Sequence, residues 1–313
     1  MDKVSIIMNC LDGSRFLDES LRSIKAQKYK NWELVFYDNN STDNSYEILC
    51  KYNIKNLIYF RSYENYSLGK ARSEALKLCS GDWVAFLDTD DVWLPDKLSI
   101  QMESILNTDF IFCYAGINEI NEEGSFIREV MPAYESGDHF GKQLNQFDIN
   151  MVTPIIKKSI LDKFNLDFNH SIEASEEYNL FTRLATKGKF CTISQVLGYW
   201  RIYKNSLTDR SIMFWAIDRF CTLQQIVSEN PGIENIFEDV FKAAYARGYY
   251  YQSRYLRSKK SYFKGLKSIY KASCYKKKYS FLFLIWIFPF LWETLHSNFI
   301  KRRIITKIGF IKK

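Results

Sequence analysis

The first 110 residues alternate between short apolar runs and amphipathic segments. The segment after the first run has Leu17, Leu21 and Ile24 at helical spacing, behind Ser14, a residue type suited to cap a helix. Continuous apolar runs rich in β-branched and aromatic residues, as expected of strands buried on both faces, occur at residues 4–8, 32–37, 57–61 and 83–87. Strands that alternate with helices predict a parallel, doubly wound α/β sheet.

Polar clusters follow three of these four predicted strands, at residues 9–12, 38–43 and 88–91. Because ligands bind at the carboxyl ends of the strands in doubly wound sheets, the clusters predict a site at one sheet edge. The last cluster, in the stretch FLDTDD, packs three carboxylates into four residues, and like charges so close together indicate a cation between them. In the alternative, each acid caps the next helix; this accounts for one acid per loop and stays open for Asp43 and Asp91.

The pattern becomes less regular after Pro95. It predicts a helix at 96–106, a strand within 109–120 and, after an irregular stretch around Gly137, a strand and the start of a helix within 150–161. A helix at 174–188 and a last strand at 196–203 follow. Two acids, Glu176 and Glu177, stand near the beginning of that helix.

Length and composition indicate a folded protein of the cytoplasm. The chain has 313 residues, 47% of them hydrophobic, which suits two compact units or one large α/β unit with an appendage. Its seven cysteines are far apart, odd in number and without a C-x-x-C pair, which favours reduced thiols over disulfides or zinc. The five apolar residues before Asn9 are too few for a signal peptide, so we expect no export.

The net charge of +7 is distributed unevenly along the chain. Residues 241–313 carry 18 Lys and Arg against a single acid, Glu293, whereas residues 1–240 carry 25 against 35 acids. Two regions with different partners are therefore predicted.

A run of 12 apolar residues, 281–292, lies within the basic region. As a helix it is too short to span a bilayer, which takes about 20 residues. The flanking Lys and Arg, together with Trp286 and Trp292, predict a segment that lies in the interface of an anionic membrane leaflet. A helix buried against the rest of the chain is the alternative. Nucleic acid is not expected as a partner, because no recognised binding motif accompanies the charge.

The motifs from residue 4 to about 206 resemble, in order and spacing, those of the family 2 glycosyltransferases. NCLDGSRFLDESLRSIKAQKYKNWELVFYDNNSTDNS is similar to the family's P-x-Y-N, L-x-S-x-x-x-Q and D-D-G-S-T-D motifs, and LGKARSEALKLCSGDWVAFLDTDD to its G-x-x-x-A-R-N, GD and LDSDD motifs. The resemblance implies a GT-A fold, which is Rossmann-like with a mostly parallel doubly wound sheet, here followed by a helical basic extension. It also implies a nucleotide-diphosphosugar donor and Mn²⁺ or Mg²⁺, whose charge would stabilise the leaving diphosphate.

The resemblance also implies roles on the donor side of the site. Asp90 is the metal ligand, and Asp88 binds the ribose or assists the metal. Asp38 accepts a hydrogen bond from the base. Arg72 steadies the nucleotide or its phosphates, unless it is an ordinary solvated helix arginine. The family's P-x-Y-N, also on the nucleotide side, is replaced by a segment that includes Asn9, Leu11 and Asp12, with leucine where a tyrosine often lies against the base.

On the acceptor side, EEYNLFTRL is similar to the family's E-D-x-x-L-x-x-R-L. The match implies that Glu177 is the general base of an inverting transfer, with Glu176 as the alternative base. Acids at a helix start also complement the helix dipole, and that simpler explanation stays open. In the late strand, Tyr203 replaces a histidine of the family, and Arg201 either contacts a phosphate or is an ordinary arginine at the edge of the core.

These inferences divide the chain into three expected regions: a nucleotide-sugar-binding half at 1–106, an acceptor-binding half at 107–208 and a helical, basic, membrane-associating region at 209–313. We expect a metal-dependent inverting transferase, peripheral on the inner face of the cell membrane, that moves a sugar from UDP to a lipid-linked surface glycan. The alternatives are a soluble transferase that modifies a protein or free glycan, and a non-catalytic module that binds a sugar nucleotide or anionic lipid. A dinucleotide dehydrogenase is disfavoured, because no G-x-G-x-x-G follows the first strand.

Overall fold

The computed structural model describes residues 1–203 and 214–296. The chain divides into two compact units, Met1–Ser211 and Ile212–Lys313.

The first unit is built on one mixed sheet with helices packed against it. The strands in its described part are β1 (Val4–Cys10), β2 (Trp32–Asp38), β3 (Leu57–Arg61), β4 (Trp83–Phe86), β5 (Val92–Trp93), β6 (Phe112–Ile120), β7 (Phe126–Val130), β8 (Ile155–Lys157) and β9 (Phe190–Arg201). The helices are α1 (Ser14–Lys25), α2 (Ser45–Lys51), α3 (Leu68–Lys77), α4 (Lys97–Ile105), α5 (Phe140–Asn145), α6 (Lys158–Phe164) and α7 (Glu176–Leu184).

The strand order is β3-β2-β1-β4-β8-β6-β9-β5, and β7 pairs with β6 outside this path. Strands β1 to β4 pair in parallel, which confirms the alternation predicted for the first half of the chain. The second half adds antiparallel pairings of β8 with β4 and β6, and of β5 with β9. The sequence pattern missed β5 and β7, because β5 has only two residues and β7 is largely exposed, so neither carries a buried apolar run.

The main core lies between β1, β2 and β4 and the helices beside them. Leu17, Leu21 and Ile24 of α1 are fully buried, as their spacing predicts. Ser14 is not the cap of this helix, because the N-cap position is Gly13 and the Ser14 N–H donates to Asp43 Oδ2 at 2.8 Å. Asp43 also accepts from Ser45 N at the start of α2, so this acid caps helices, as the alternative interpretation proposed.

An aromatic cluster joins α7 to the sheet, and it makes the fold around α7 sensitive to one side chain. The Phe112 ring lies 4.3 Å from that of Phe190 and 5.0 Å from that of Phe181 on α7, measured between centroids. We expect Phe112→Ala to lower the free energy of unfolding by about 3–5 kcal/mol, because it leaves a cavity in a closed core. Urea denaturation would measure this; Phe126→Ala, which removes a side chain that is 64% exposed, is the matched control and should change it by less than about 0.5 kcal/mol.

The second unit is helical in its described part. Its helices are α8 (Trp215–Glu229), α9 (Ile233–Ile236), α10 (Glu238–Ser258), α11 (Tyr262–Tyr275), α12 (Lys278–Trp286) and α13 (Pro289–His296). Helix α11 packs closely against the Trp286 ring at Gly265, where an added Cβ would lie only 2.5 Å from the ring atom Cζ2.

The apolar run 281–292 differs from the prediction in two ways. It is not a single helix, because a new helix begins at Pro289, which lacks the N–H that a helix interior needs. Trp286 and Trp292 are only 4% exposed, and their rings pack edge to face at 4.7 Å, so the prediction that they anchor the segment in a membrane interface is wrong. Arg257 covers this pair and donates to the backbone oxygen of Trp286 at 2.8 Å. No helix in the described ranges is long and apolar enough to cross a bilayer.

Candidate active site

The loop after β1 carries three of the predicted nucleotide-binding residues. Asn9 ends with a buried amide nitrogen that has no hydrogen-bond partner within the described residues, although buried donors are normally paired. Leu11 is 46% exposed. Asp12 has a φ of +50° and accepts a hydrogen bond from Thr42 N at 2.7 Å, which ties this loop to the loop after β2. The three residues therefore lie at the carboxyl edge of the sheet.

Asp38, at the end of β2, is buried and has partners within the chain. Its Oδ1 accepts from Ser41 N at 2.7 Å, its Oδ2 accepts from Tyr59 OH at 3.0 Å, and Arg61 lies 3.7 Å away. Burial, and then the bond to Asp38, raises the pKa of Tyr59 to about 12. These partners hold the carboxylate in place. The contact of Asp38 with the nucleotide base stays a prediction.

The loop after β4, residues 88–91, is called the acidic loop here, and a side chain of α1 holds it. The Ser20 hydroxyl lies 2.8 Å from the backbone oxygen of Thr89 and 2.6 Å from that of Asp91. A Cβ at Gly13 would lie 2.7 Å from Thr89 Oγ1, so only glycine allows the β1 loop to approach the acidic loop this closely. The backbone of the acidic loop is therefore held by α1 and lies close against the loop after β1.

Two residues of the L-x-S-x-x-x-Q motif hold the segment that follows the acids. Ser23 Oγ accepts from Trp93 N at 3.1 Å. Gln27 donates to Leu94 O at 2.8 Å and accepts from Leu98 N at 3.1 Å. In the sequence, this motif indicates only a family resemblance, whereas in the structure its side chains have a positioning role.

Within the acidic loop the carboxylates influence one another. Burial, and then the charge on Asp88, raises the pKa of Asp90 to about 6. Asp91 is 3% exposed, and burial followed by the charges of Asp90 and Asp88 raises its pKa well above the usual range. The Tyr203 hydroxyl donates to Asp90 Oδ2 at 2.9 Å and lowers the pKa of Asp90 in part. The three acids thus favour a neighbouring positive charge.

Arg72 links the acidic loop to α7. Its Nη2 donates to both oxygens of Asp88, at 2.9 and 3.1 Å, and its Nη1 donates to Glu176 Oε1 at 2.6 Å. The guanidinium is 4% exposed; burial opposes its charge, but Asp88 and Glu176 outweigh burial and raise the pKa of Arg72. The structure therefore brings together Arg72, Asp88 and Glu176.

The two acids at the start of α7 differ in their surroundings. Glu176 is 4% exposed and is held by Arg72, whereas Glu177 is half-buried. Burial, and then the charge of Glu176, raises the pKa of Glu177 to about 8. Glu177 thus has the elevated proton affinity that a base needs at neutral pH.

Arg201, at the end of β9, is 3% exposed. Its Nε donates to Asp90 O at 3.0 Å, its Nη1 donates to Glu122 O at 3.2 Å, and its Nη2 pairs with Glu19. The guanidinium therefore supports the backbone of the acidic loop, and a contact with phosphate stays a prediction that would require some of these bonds to open.

Comparison with known proteins agrees with this architecture. The sequence model of Glycosyl transferase family 2 matches residues 5–167. An uncharacterized glycosyltransferase of Rickettsia felis is 31% identical over 202 residues, which are 64% of this chain but only 33% of that protein. UDP-Glc:alpha-D-GlcNAc-diphosphoundecaprenol beta-1,3-glucosyltransferase WfgD of Escherichia coli is 29% identical over 192 residues, 61% of this chain and 73% of that protein.

Among solved structures, residues 1–349 of S. aureus TarS in complex with UDP-GlcNAc superpose with a TM-score of 0.66 at 19% identity. The superposition covers 88% of this chain and 82% of that one. It confirms the predicted GT-A fold with a helical C-terminal extension. Since the family model matches more than half of the residues, the chain belongs to Glycosyl transferase family 2.

Proposed function

We propose that this glycosyltransferase is metal-dependent and inverting, and that it moves a sugar from UDP to a hydroxyl of a growing, lipid-linked surface glycan. The observation that carries the proposal is the Arg72 bridge, which joins the acidic loop to the helix that bears Glu177. A site with donor-side acids and a base on one framework suits transfer between two substrates. UDP-GlcNAc in TarS and the diphosphoundecaprenol in the name of WfgD support the choice of donor and acceptor.

The residues present fit a divalent cation that arrives with the donor. Among the described residues, no group of three or more His, Cys, Asp or Glu side chains is arranged to hold a metal ion alone. Asp88 and Asp90 offer two carboxylates, and Mg²⁺ or Mn²⁺ commonly takes one or two carboxylates together with substrate phosphates and waters. Such an ion supplies positive charge to the departing diphosphate. We assign Asp90 as its ligand, with Asp88 assisting.

On the acceptor side, we propose that Glu177 accepts the proton of the acceptor hydroxyl. The hydroxyl oxygen then bonds to the anomeric carbon on the face opposite the diphosphate, and the bond to the diphosphate oxygen breaks, which inverts the anomeric configuration. Glu176 is a positioning residue in this proposal, because its carboxylate is held by Arg72. Residues 1–106 would bind the donor and residues 107–208 the acceptor.

A donor screen tests the proposal. Purified protein with Mn²⁺ would be incubated with UDP-, GDP- and dTDP-sugars, and nucleotide release would be measured with and without lipid-linked glycan. We expect release from a UDP-sugar that depends on both metal and acceptor. Donor binding without turnover would instead support a non-catalytic binding module, and transfer to a free glycan alone would support a soluble transferase.

The pH dependence of kcat/KM should follow Glu177, because the base must be unprotonated in the free enzyme. Since its pKa is raised to about 8 by burial and by Glu176, we expect kcat/KM to rise with pH and level off above about pH 8. Glu176→Gln removes one of these causes and should move the rise about one unit lower, while Arg72 and Asp88 still act on Glu177. Initial rates measured across pH would test this. If Glu176→Gln leaves the pH midpoint of kcat/KM unchanged, the explanation is contradicted.

Tyr203→Phe should weaken metal-dependent activation. Loss of the hydrogen bond to Asp90 raises the pKa of that carboxylate, so protons compete better with the metal, most of all near pH 6. We expect the Mn²⁺ concentration for half-maximal activity to rise about 5-fold at pH 6, as for one lost hydrogen bond, and less at pH 8. Titration with Mn²⁺ would measure it. Tyr63→Phe, at a 95% exposed position, is the control, and an equal effect at both pH values would contradict the explanation.

We further propose that the enzyme is peripheral on the inner face of the membrane, with residues 241–313 as its membrane-associating region. Support comes from the excess of Lys and Arg in this region and from the diphosphoundecaprenol in the name of WfgD. In the sequence of residues 241–313, Glu293 is the only acidic residue.

A further inference from the structure

The helices α12 and α13 expose an apolar face that the described part of their unit does not cover. Phe281 and Leu284 are three positions apart on α12 and so lie on one side of it, Ile287 and Phe288 follow its end, and Phe290 and Leu291 lie in the first turn of α13. We call the following set the apolar face: Phe281 (63% exposed), Leu284 (61%), Ile287 (64%), Phe288 (57%), Phe290 (79%) and Leu291 (49%). Six large apolar side chains exposed within eleven residues indicate an interaction surface.

Unneutralised cations lie at the start of this face. Lys278 is the first residue of α12, three positions before Phe281, and so lies on the same side of the helix. Among the described residues, neither Lys278 nor Arg247 lies within the 4.0 Å of a carboxylate that defines an ion pair. Burial, and then the charges of Arg247 and Lys276, lowers the pKa of Lys278.

The cations are held in place by the packing of the unit. Arg247 of α10 lies beside the hydroxyl of Tyr279, which is 6% exposed and contacts Tyr250 with ring centroids 5.5 Å apart. The ring contact between Tyr250 and Tyr279 therefore holds the start of α12, with Lys278, against the helix that carries Arg247. Two basic side chains at one edge of an apolar face favour an anionic partner such as a phosphate.

We propose that the apolar face, with Arg247 and Lys278 at its edge, binds an anionic phospholipid leaflet. The aromatic and aliphatic side chains enter the boundary between head groups and acyl chains, and the two cations contact lipid phosphates. This deepens the membrane location given under the proposed function by naming the surface that makes the contact. A second copy that docked through the same face would supply further cations but no phosphate for Arg247 and Lys278, so it fits less well.

A helix that inserts one apolar face into a single leaflet does not need to span the bilayer, and the length of α12 suits this arrangement. Its nine residues make a helix of about 14 Å, roughly half of the hydrocarbon thickness. The buried Trp286 and Trp292 tie the face to the rest of the unit, so we expect the whole unit to be carried to the surface when the face binds.

The test is co-sedimentation of the full chain with vesicles of phosphatidylcholine, with and without phosphatidylglycerol. We expect binding to require phosphatidylglycerol. Arg247→Gln with Lys278→Gln should weaken binding about 30-fold, which corresponds to two lost cation contacts. Phe281→Ser with Leu284→Ser should weaken it by about 30-fold or more, because two apolar side chains no longer leave water.

Matched controls separate this surface from general charge and hydrophobicity. Lys259→Gln with Lys260→Gln removes the same charge from two exposed positions, and Ile236→Ser with Phe263→Ser removes two side chains that are 77% and 82% exposed. Each control should bind within about 3-fold of the unmodified chain if the named surface makes the contact. Because the altered side chains of the apolar face are exposed, circular dichroism should show unchanged helix content.

Equal losses of vesicle affinity in the test and control variants would overturn the proposal. It would also be overturned if sedimentation velocity showed a dimer of the unmodified chain that Phe281→Ser with Leu284→Ser dissociates. Nucleotide release from the donor in solution separates this proposal from the proposed function. Vesicle binding without release would leave the surface assignment standing and remove the transferase assignment of UDP and acceptor. Nucleotide release without vesicle binding would leave the transferase assignment standing and remove the surface assignment.

Discussion

Glu177→Gln should lower the rate of sugar transfer by about 10³-fold, within the range that general bases contribute. The amide keeps the shape of the side chain but cannot accept the acceptor proton. Donor affinity should remain within about 3-fold, because the donor-side acids and Arg72 are unchanged and Glu176 still holds Arg72. Single-turnover transfer and equilibrium binding of UDP would measure the two effects separately.

The control for this substitution is Glu123→Gln, which changes an exposed glutamate and should leave transfer unaffected. If Glu177→Gln transfers sugar at the normal rate, the base is a different residue. In that case Glu176 is the next candidate, and its release from Arg72 would have to accompany catalysis.

Asp90→Ala should reduce metal-dependent donor turnover by about 10²- to 10³-fold, as for other losses of transition-state charge stabilisation. The substitution removes the proposed ligand and leaves Asp88, which Arg72 already engages through both oxygens. Nucleotide release as a function of Mn²⁺ would measure the effect. Asp109→Ala, at an exposed aspartate, is the matched control.

The same experiment tests whether a metal is needed. Treatment of the unmodified enzyme with a chelator should abolish turnover, and added Mn²⁺ or Mg²⁺ should restore it. Turnover that survives the chelator, with Asp90→Ala still inactive, would show that Asp90 acts in some other way, for example through the positions of Tyr203 and Arg201.

The sequence alone was sufficient to predict the first half of the fold. Buried strands β1 to β4 show continuous apolar runs, and α1 shows a helical stripe, because local periodicity reflects which side chains leave water. The polar clusters at the strand ends predicted the edge of the sheet that carries the acids. The second half, which mixes parallel and antiparallel pairings, was less predictable, because β5, β7 and β8 are short or exposed.

The partners of the charged side chains were decided only by the tertiary structure. Arg72 and Glu176 are 104 residues apart, and no local pattern indicates that α3 and α7 meet at Asp88. The position of the two tryptophans was also decided by packing between distant segments. The sequence predicted that Trp286 and Trp292 face a membrane, whereas in the structure they are buried beneath Arg257, and Phe281 and its neighbours are exposed. A sequence pattern records how apolar a segment is, but the side of a helix that is covered depends on which distant segments pack against it.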